Sequence, residues 1–172
     1  NPAVVAYDPA FAYELAHIVI DGMRRMYGEN PENIYYYITV YNEPIHQPAE
    51  PENLDVDGLL KGLYLFKPAD TAHALKANIL ASGVTMPDAL KAQQMLAEEW
   101  GVSASVFSVT SWVELSRDGI ESEKAALRDP GAEFRTPHVT KILGGTDGPT
   151  IAASDFMRGT QDLIRQWVPG TY

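Results

Sequence analysis

The sequence predicts an α/β protein, with parallel sheets flanked by helices. Three observations carry this reading. The second half alternates apolar strand-like runs with helical stripes in the order β-α-β-α-β-α, which implies a parallel sheet joined by crossovers. The run Ile34–Tyr41 is aromatic and β-branched without alternation, the pattern of a strand covered on both faces. Apolar residues make up 45% and charged residues 21% of 172, the balance of a globular chain with enough apolar surface to offset chain entropy.

The first predicted element is a helix. Asp8 suits the N-cap and Pro9 the first helical position. Phe11, Leu15, Ile18, Val19, Met23 and Met26 then form one apolar stripe, and Gly28 supplies a stop. The strand Ile34–Tyr41 follows. Between Asn42 and Gly58 lie Pro44, Pro48 and Pro51 and five acids, which predicts an extended loop or linker and a domain boundary. Asp57-Gly58 reads as a turn leading into an edge strand that ends near Phe66.

Strands are predicted at Ala77–Ala81, Val102–Val109 and Pro149–Ala153. Thr85 is the expected cap of a helix that places Ala89, Ala92 and Leu96 inward and ends at Gly101. Ser111 and Glu114 have capping-box spacing, so a helix starts there and breaks at Asp129-Pro130-Gly131. A third helix is predicted over Phe156–Val168, ended by Pro169-Gly170.

The net charge is −10, which disfavours nucleic acid as a main partner because an acidic surface repels phosphates. Residues 1–58 hold 10 acids and 2 bases, and residues 59–172 hold 13 acids and 11 bases, so two regions with different surroundings are expected. No apolar stretch is long enough to span a membrane, and no signal peptide is visible. The chain starts with Asn1 rather than Met, so processing or excision from a longer chain is expected. With no cysteine there is no disulfide, thiolate metal site or cysteine nucleophile, which fits the cytoplasm.

Candidate chemistry is sparse. His17, His46, His73 and His138 make no helix-spaced metal pair. Asn42-Glu43-Pro44-Ile45-His46 lies just beyond a predicted strand, where α/β sheets bind ligands. Glu43 could act as an acid or base and His46 as a polariser, and the competing reading is a solvated linker start. Gly144–Gly148 has no P-loop lysine and reads as a turn. Arg117-Asp118-Gly119 reads as a structural ion pair or helix end.

Several blocks together carry a resemblance. They are Tyr7-Asp8-Pro9-Ala10-Phe11-Ala12-Tyr13-Glu14, Met26-Tyr27-Gly28-Glu29, Asn33–Thr39, and Asn42-Glu43 with His46 and Pro48. Ser108–Ser111, Glu114-Leu115, Arg117-Asp118-Gly119, Ala152, Ser154-Asp155 and Trp167-Val168-Pro169 extend them in one register. The chain resembles the homodimeric-type pyruvate dehydrogenase decarboxylating component. That resemblance implies pieces of a thiamine-diphosphate-binding, transketolase-like fold. Residues 1–42 would end the middle, aminopyrimidine-binding domain, residues 43–58 would be the acidic linker, and residues 59–172 would open the C-terminal domain. The family uses thiamine diphosphate and Mg²⁺, decarboxylates pyruvate and reductively acetylates the lipoyl group of dihydrolipoyl acetyltransferase. Its members are cytoplasmic homodimers.

The resemblance puts the family's catalytic, cofactor and metal residues upstream of Asn1, so none is expected here. Asn42, Glu43 and His46 are expected only at the active-site periphery, and the segment alone is expected to be inactive. Two alternatives stand beside this reading. One is a stand-alone, non-catalytic acidic module that binds a basic partner. The other is a fragment of another thiamine enzyme such as transketolase, against which the tyrosine triplet and the block starting at Tyr7 argue.

Overall fold

The computed structural model describes residues 1–69 and 73–172. The chain opens with strand β1 (Val4–Tyr7), then helix α1 (Ala12–Tyr27), then strand β2 (Tyr35–Ile38). β1 and β2 pair in parallel, Val5 opposite Tyr36 and Tyr7 opposite Ile38. Helix α2 (Val56–Lys61) and strand β3 (Tyr64–Lys67) lead to β4 (Leu75–Ala81), α3 (Met86–Trp100) and β5 (Val102–Ser108). Then come α4 (Trp112–Arg128), α5 (His138–Leu143), β6 (Thr150–Ala153) and α6 (Arg158–Gln161), which a 3-10 turn over Asp162–Trp167 continues.

The second sheet has the order β3-β5-β4-β6. β4 is parallel to β5 and β6, and β3 adds an antiparallel edge. Both faces of this sheet are covered, so its strands read as apolar runs. Side chains alternate by the strand period of two. Ala77, Ile79, Ala81, Ala104 and Val106 join the core containing Val5, Phe11 and Ile18 of the first βαβ unit. Leu80 and Phe107 point the other way, to Trp112, Leu115, Leu143, Ile164 and Trp167. One core therefore binds the N-terminal unit to the second sheet.

Several expectations are corrected. Asp8 ends the segment after β1 and does not cap α1; the helix begins at Ala12, with Phe11 at the N-cap. Glu14, three residues into the helix, folds back and accepts from the amides of Ala10 (2.6 Å) and Phe11 (3.1 Å). The α1 stripe is split. Ile18 is buried, while Val19, Ile20, Met23 and Tyr27 are exposed on the opposite flank. The tyrosine strand is not covered on both faces: Tyr36 packs on α1, whereas Tyr35 and Tyr37 are 51% and 60% exposed. Asp57-Gly58, read as a turn, lies inside α2, which Asp55 caps by accepting from the Gly58 amide at 2.8 Å. Thr85 occupies the N-cap position of α3, as expected, but makes no side-chain capping bond. Its hydroxyl donates to the carbonyls of Ser82 and Ala153 and ties the ends of β4 and β6 together. The third helix is shorter than expected, with Gly159 and Thr160 weakening it at its start.

The α1 flank, with Tyr35, Tyr37 and Val40, leaves a broad apolar surface in water. The isolated 172-residue chain is therefore expected to self-associate or to be partly unfolded in sedimentation velocity and calorimetry. A monomeric 18.9 kDa species with a cooperative melt would contradict this.

Candidate functional site

The ends of β1, β2, β4 and β5 converge, and two buried acids organise the junction. The first is Asp8. Its Oδ1 accepts from Thr39 Oγ1 (2.5 Å) and Tyr41 Oη (2.8 Å) at the end of β2. Its backbone carbonyl accepts from the Gly83 amide (3.2 Å), just past β4, and its amide donates to Thr110 O (2.7 Å), just past β5. Gly83 has φ +50°, and a Cβ there would meet Asp8 Oδ1 at 2.7 Å. Glycine is required by both backbone and space.

The second acid is Glu14, which is fully buried. Besides the two amides, its Oε1 accepts from Tyr64 Oη (2.7 Å) on β3 and Ser108 Oγ (2.6 Å) on β5. Tyr13 Oη lies 2.8 Å from Tyr64 Oη and completes the cluster. A buried carboxylate is tolerable only when its lone pairs are met, and here four donors meet them. Burial pushes the Glu14 carboxyl above its ordinary range, and the donors oppose that shift. Sequence reading quoted Glu14 within a motif but gave it no role. The available signal was a glutamate three residues after an uncapped N-cap position.

Tyrosines around these acids resist ionisation. Burial raises Tyr7, Tyr36, Tyr41 and, most strongly, Tyr64, whose shift the adjacent Glu14 reinforces. Burial also raises Tyr13 to about 12. In the unfolded chain these groups ionise near 10. The unfolded state thus loses protons first, so stability is intact below pH about 10 and falls as pH rises through the folded values. Base-induced loss of near-ultraviolet dichroism is expected to coincide with tyrosinate absorbance at 295 nm. Tyrosinate appearing well before structure is lost would contradict this.

The flagged segment is mostly outside this junction. Asn42, Glu43 and His46 are all exposed. Glu43 lines a cavity of about 210 Å³ with Phe11, Thr39, Tyr41, Ile45 and Gly83; Asn42 and His46 do not. The loop is pinned instead by Gln47, which accepts from the Ala12 amide (2.9 Å), and by Glu50, 3.0 Å from His17 Nε2. Neither contact was legible from spacing. His138 starts α5 and meets Leu63 O at 2.8 Å through Nε2. Arg117 pairs with Glu114 (2.6 Å), and Arg135 pairs with Asp118 (2.6 Å), so that motif is structural.

These residues do not fit a metal-bound diphosphate. The charged residue lining the Glu43 cavity is an acid, which repels phosphate. A groove of about 660 Å³ beside β6 holds Arg158 and Arg165, but both pair with Asp162 at 3.3 Å. Among the described residues no group of three or more His, Cys, Asp or Glu is placed to hold a metal ion. Among them, too, no helix is long and apolar enough to cross a membrane.

A family model described as the transketolase-like TK C-terminal domain matches residues 62–170. The chain belongs to this family. A model of the pyruvate dehydrogenase E1 component middle domain matches residues 1–48. Curated relatives match along the whole chain. The pyruvate dehydrogenase E1 components of Mycolicibacterium smegmatis and Mycobacterium tuberculosis are each 60% identical over all 172 residues, and the chain spans 18% of their length. The component of Escherichia coli is 39% identical over 98% of the chain, again 18% of its own length. The chain is thus a homologue of these proteins over about a fifth of their extent. Among solved structures, a transketolase variant from Pichia stipitis superposes over 90% of this chain and 19% of its own, with a TM-score of 0.53. At 19% identity that likeness speaks to the fold alone.

Proposed function

We propose that this chain is the junction between the middle and C-terminal domains of a pyruvate dehydrogenase E1 component. The observation that carries the reading is 60% identity over every residue to two such components. The parent protein decarboxylates pyruvate on thiamine diphosphate with Mg²⁺. It then transfers the acetyl unit to the lipoyl group of dihydrolipoyl acetyltransferase, and it works as a cytoplasmic homodimer. Residues 1–42 close the middle domain, residues 43–58 are the connection, and residues 59–172 open the C-terminal domain.

In this reading the chain's own residues do structural work. Glu14 and Asp8 hold the strand ends of one domain against the sheet of the other. Asn42, Glu43 and His46 lie at the rim of the active site and contact neither cofactor nor metal.

The test compares the full-length polypeptide with the 172-residue chain, each given pyruvate, thiamine diphosphate and Mg²⁺. The full-length protein is expected to release CO₂ in a cofactor-dependent way, and the short chain to release none. Full-length protein inactive on pyruvate but active in ketol transfer would favour the transketolase alternative. Decarboxylation by the short chain would overturn the assignment of the chemistry to other segments. Alanine at Glu43 or His46 is expected to shift KM by a few-fold and to leave kcat nearly unchanged.

A further inference from the structure

The segment Asn42–His46 lies in neither helix nor strand, and irregular chain keeps one geometry only where contacts fix it. Two contacts do so, one at each end. Upstream, Tyr41 is tied to the floor of the junction. Its Oη donates to Asp8 Oδ1 at 2.8 Å, and its ring lies against Gly83, where a Cβ would meet Tyr41 Cε2 at 2.7 Å. Asp8 is 4% exposed, and its backbone is bonded to Gly83 and Thr110. This end of the segment is therefore anchored where β1, β4 and β5 end.

Downstream, Gln47 completes a helix start that the helix cannot complete alone. The first amides of a helix have no partner within it. The N-cap residue of α1 is Phe11, whose side chain holds no acceptor. Glu14 reaches back to the amides of Ala10 and Phe11, which leaves that of Ala12. Gln47 Oε1 accepts it at 2.9 Å, from 35 residues along the chain. Five residues, Asn42 to His46, thus run between two fixed points, and both points belong to the stretch Asp8–Ala12. Within the five, Pro44 has its φ set by its ring, and Ile45 packs on the core cluster that contains Phe11 and Ile18. Tyr41, Glu43 and Gln47 line one cavity of about 210 Å³, so both clamps share a wall with Glu43.

We infer that Tyr41 and Gln47 are positioning residues: they clamp the Asn42–His46 segment onto the start of α1 and thereby set where Glu43 and His46 stand at the active-site rim. This rests on the proposed placement of Glu43 and His46 at that rim. Each clamp acts through the segment and not on the substrate.

The test uses full-length protein carrying Tyr41→Phe, Gln47→Ala or Gln47→Glu. Phenylalanine keeps the ring on Gly83 and loses only the hydroxyl. Glutamate keeps an acceptor for the Ala12 amide, at a helix end that favours negative charge. Tyr41→Phe and Gln47→Ala are each expected to raise KM for pyruvate about 3–10-fold with kcat within about 2-fold, and Gln47→Glu to restore KM. In a Glu43→Ala/His46→Ala background both effects should vanish, because the clamps act only through those side chains. An effect of full size in that background, or an unchanged KM in both single variants, would overturn the inference. A second readout needs no activity. Chymotrypsin cleaves after phenylalanine as well as tyrosine, so nicking of the native protein after residue 41 reports release of the segment in every variant. It is expected to speed at least about 5-fold in Tyr41→Phe and Gln47→Ala, but not in Gln47→Glu. Unchanged nicking in both would also overturn the inference. Full-length protein that consumes no pyruvate yet is nicked faster in these variants would sink the proposed reaction and leave the clamp standing.

Discussion

Glu14→Ala in the full-length protein is expected to cost most of the folding margin. The substitution removes the one acceptor shared by Ala10 N, Phe11 N, Tyr64 Oη and Ser108 Oγ. Those donors stay buried, since Tyr64 and Ser108 are each about 1% exposed. Each buried donor left without its acceptor costs about 1–3 kcal/mol, and four lose theirs, against a typical total stability of about 5–15 kcal/mol. Soluble yield should drop sharply and the melting temperature should fall by many degrees. Glu14→Gln keeps shape and one acceptor oxygen but points an amide N–H₂ at groups that are themselves donors, so it should rescue only part of the loss. A Glu14→Ala protein that melts within a degree or two of wild type would show that the cluster stabilises nothing. Separately, Glu14→Gln removes the titration. Because burial raises the Glu14 carboxyl, the stability that this titration adds is full below the unfolded value near 4.3 and is lost as pH rises through the folded value. The gap between wild type and Glu14→Gln should therefore be widest below pH about 4 and narrow as pH rises.

Gly119→Ala should destabilise, although helix propensity argues the opposite. In the middle of α4, alanine exceeds glycine by about 1 kcal/mol. Here a Cβ would fall on the indole of Trp167, whose six-membered ring lies directly against the Gly119 backbone. Trp167 belongs to the second core cluster, and its Nε1 donates to Glu123 at 2.9 Å. Displacing it forfeits much of what a buried tryptophan contributes, about 3–5 kcal/mol. The expected net loss is about 2–4 kcal/mol once propensity is subtracted. A double-mutant cycle identifies the cause: in a Trp167→Ala background, Gly119→Ala should become neutral or stabilising. If it costs the same in both backgrounds, the ring contact is not the reason glycine is there.

How far the sequence was legible depended on how local the signal is. Helix α4 was readable from Ser111 and Glu114, and Ser111 Oγ does accept from the Glu114 amide at 3.0 Å. Gly101 was readable as a helix end, and it takes the left-handed conformation at φ +62°. The strands β4 and β5 were readable because burial on both faces leaves an unbroken apolar run. β1 was not read, since four residues before an assumed cap carry too short a pattern. The same error made Asp8 a helix cap.

The candidate site was less legible. Asn42, Glu43 and His46 stood out by residue type and by position after a strand, yet all three face solvent. Glu14 and Asp8, which organise the junction, looked like ordinary members of a helix and its start. Their partners are 31 to 102 residues distant in the chain: Thr39, Tyr41, Tyr64, Gly83, Ser108 and Thr110. No periodicity reports a contact of that separation.

By itself, then, the sequence determined the class of the fold, the alternation of strand and helix, the acidic first third, and the family. Those follow from local propensity, burial period and matched residue blocks, which are properties of neighbours along the chain. Tertiary structure decided which acids are buried, and which face of α1 and of the tyrosine strand meets solvent. Those depend on where distant backbone and side-chain donors converge, and that convergence exists only after the βαβ unit has packed on the second sheet.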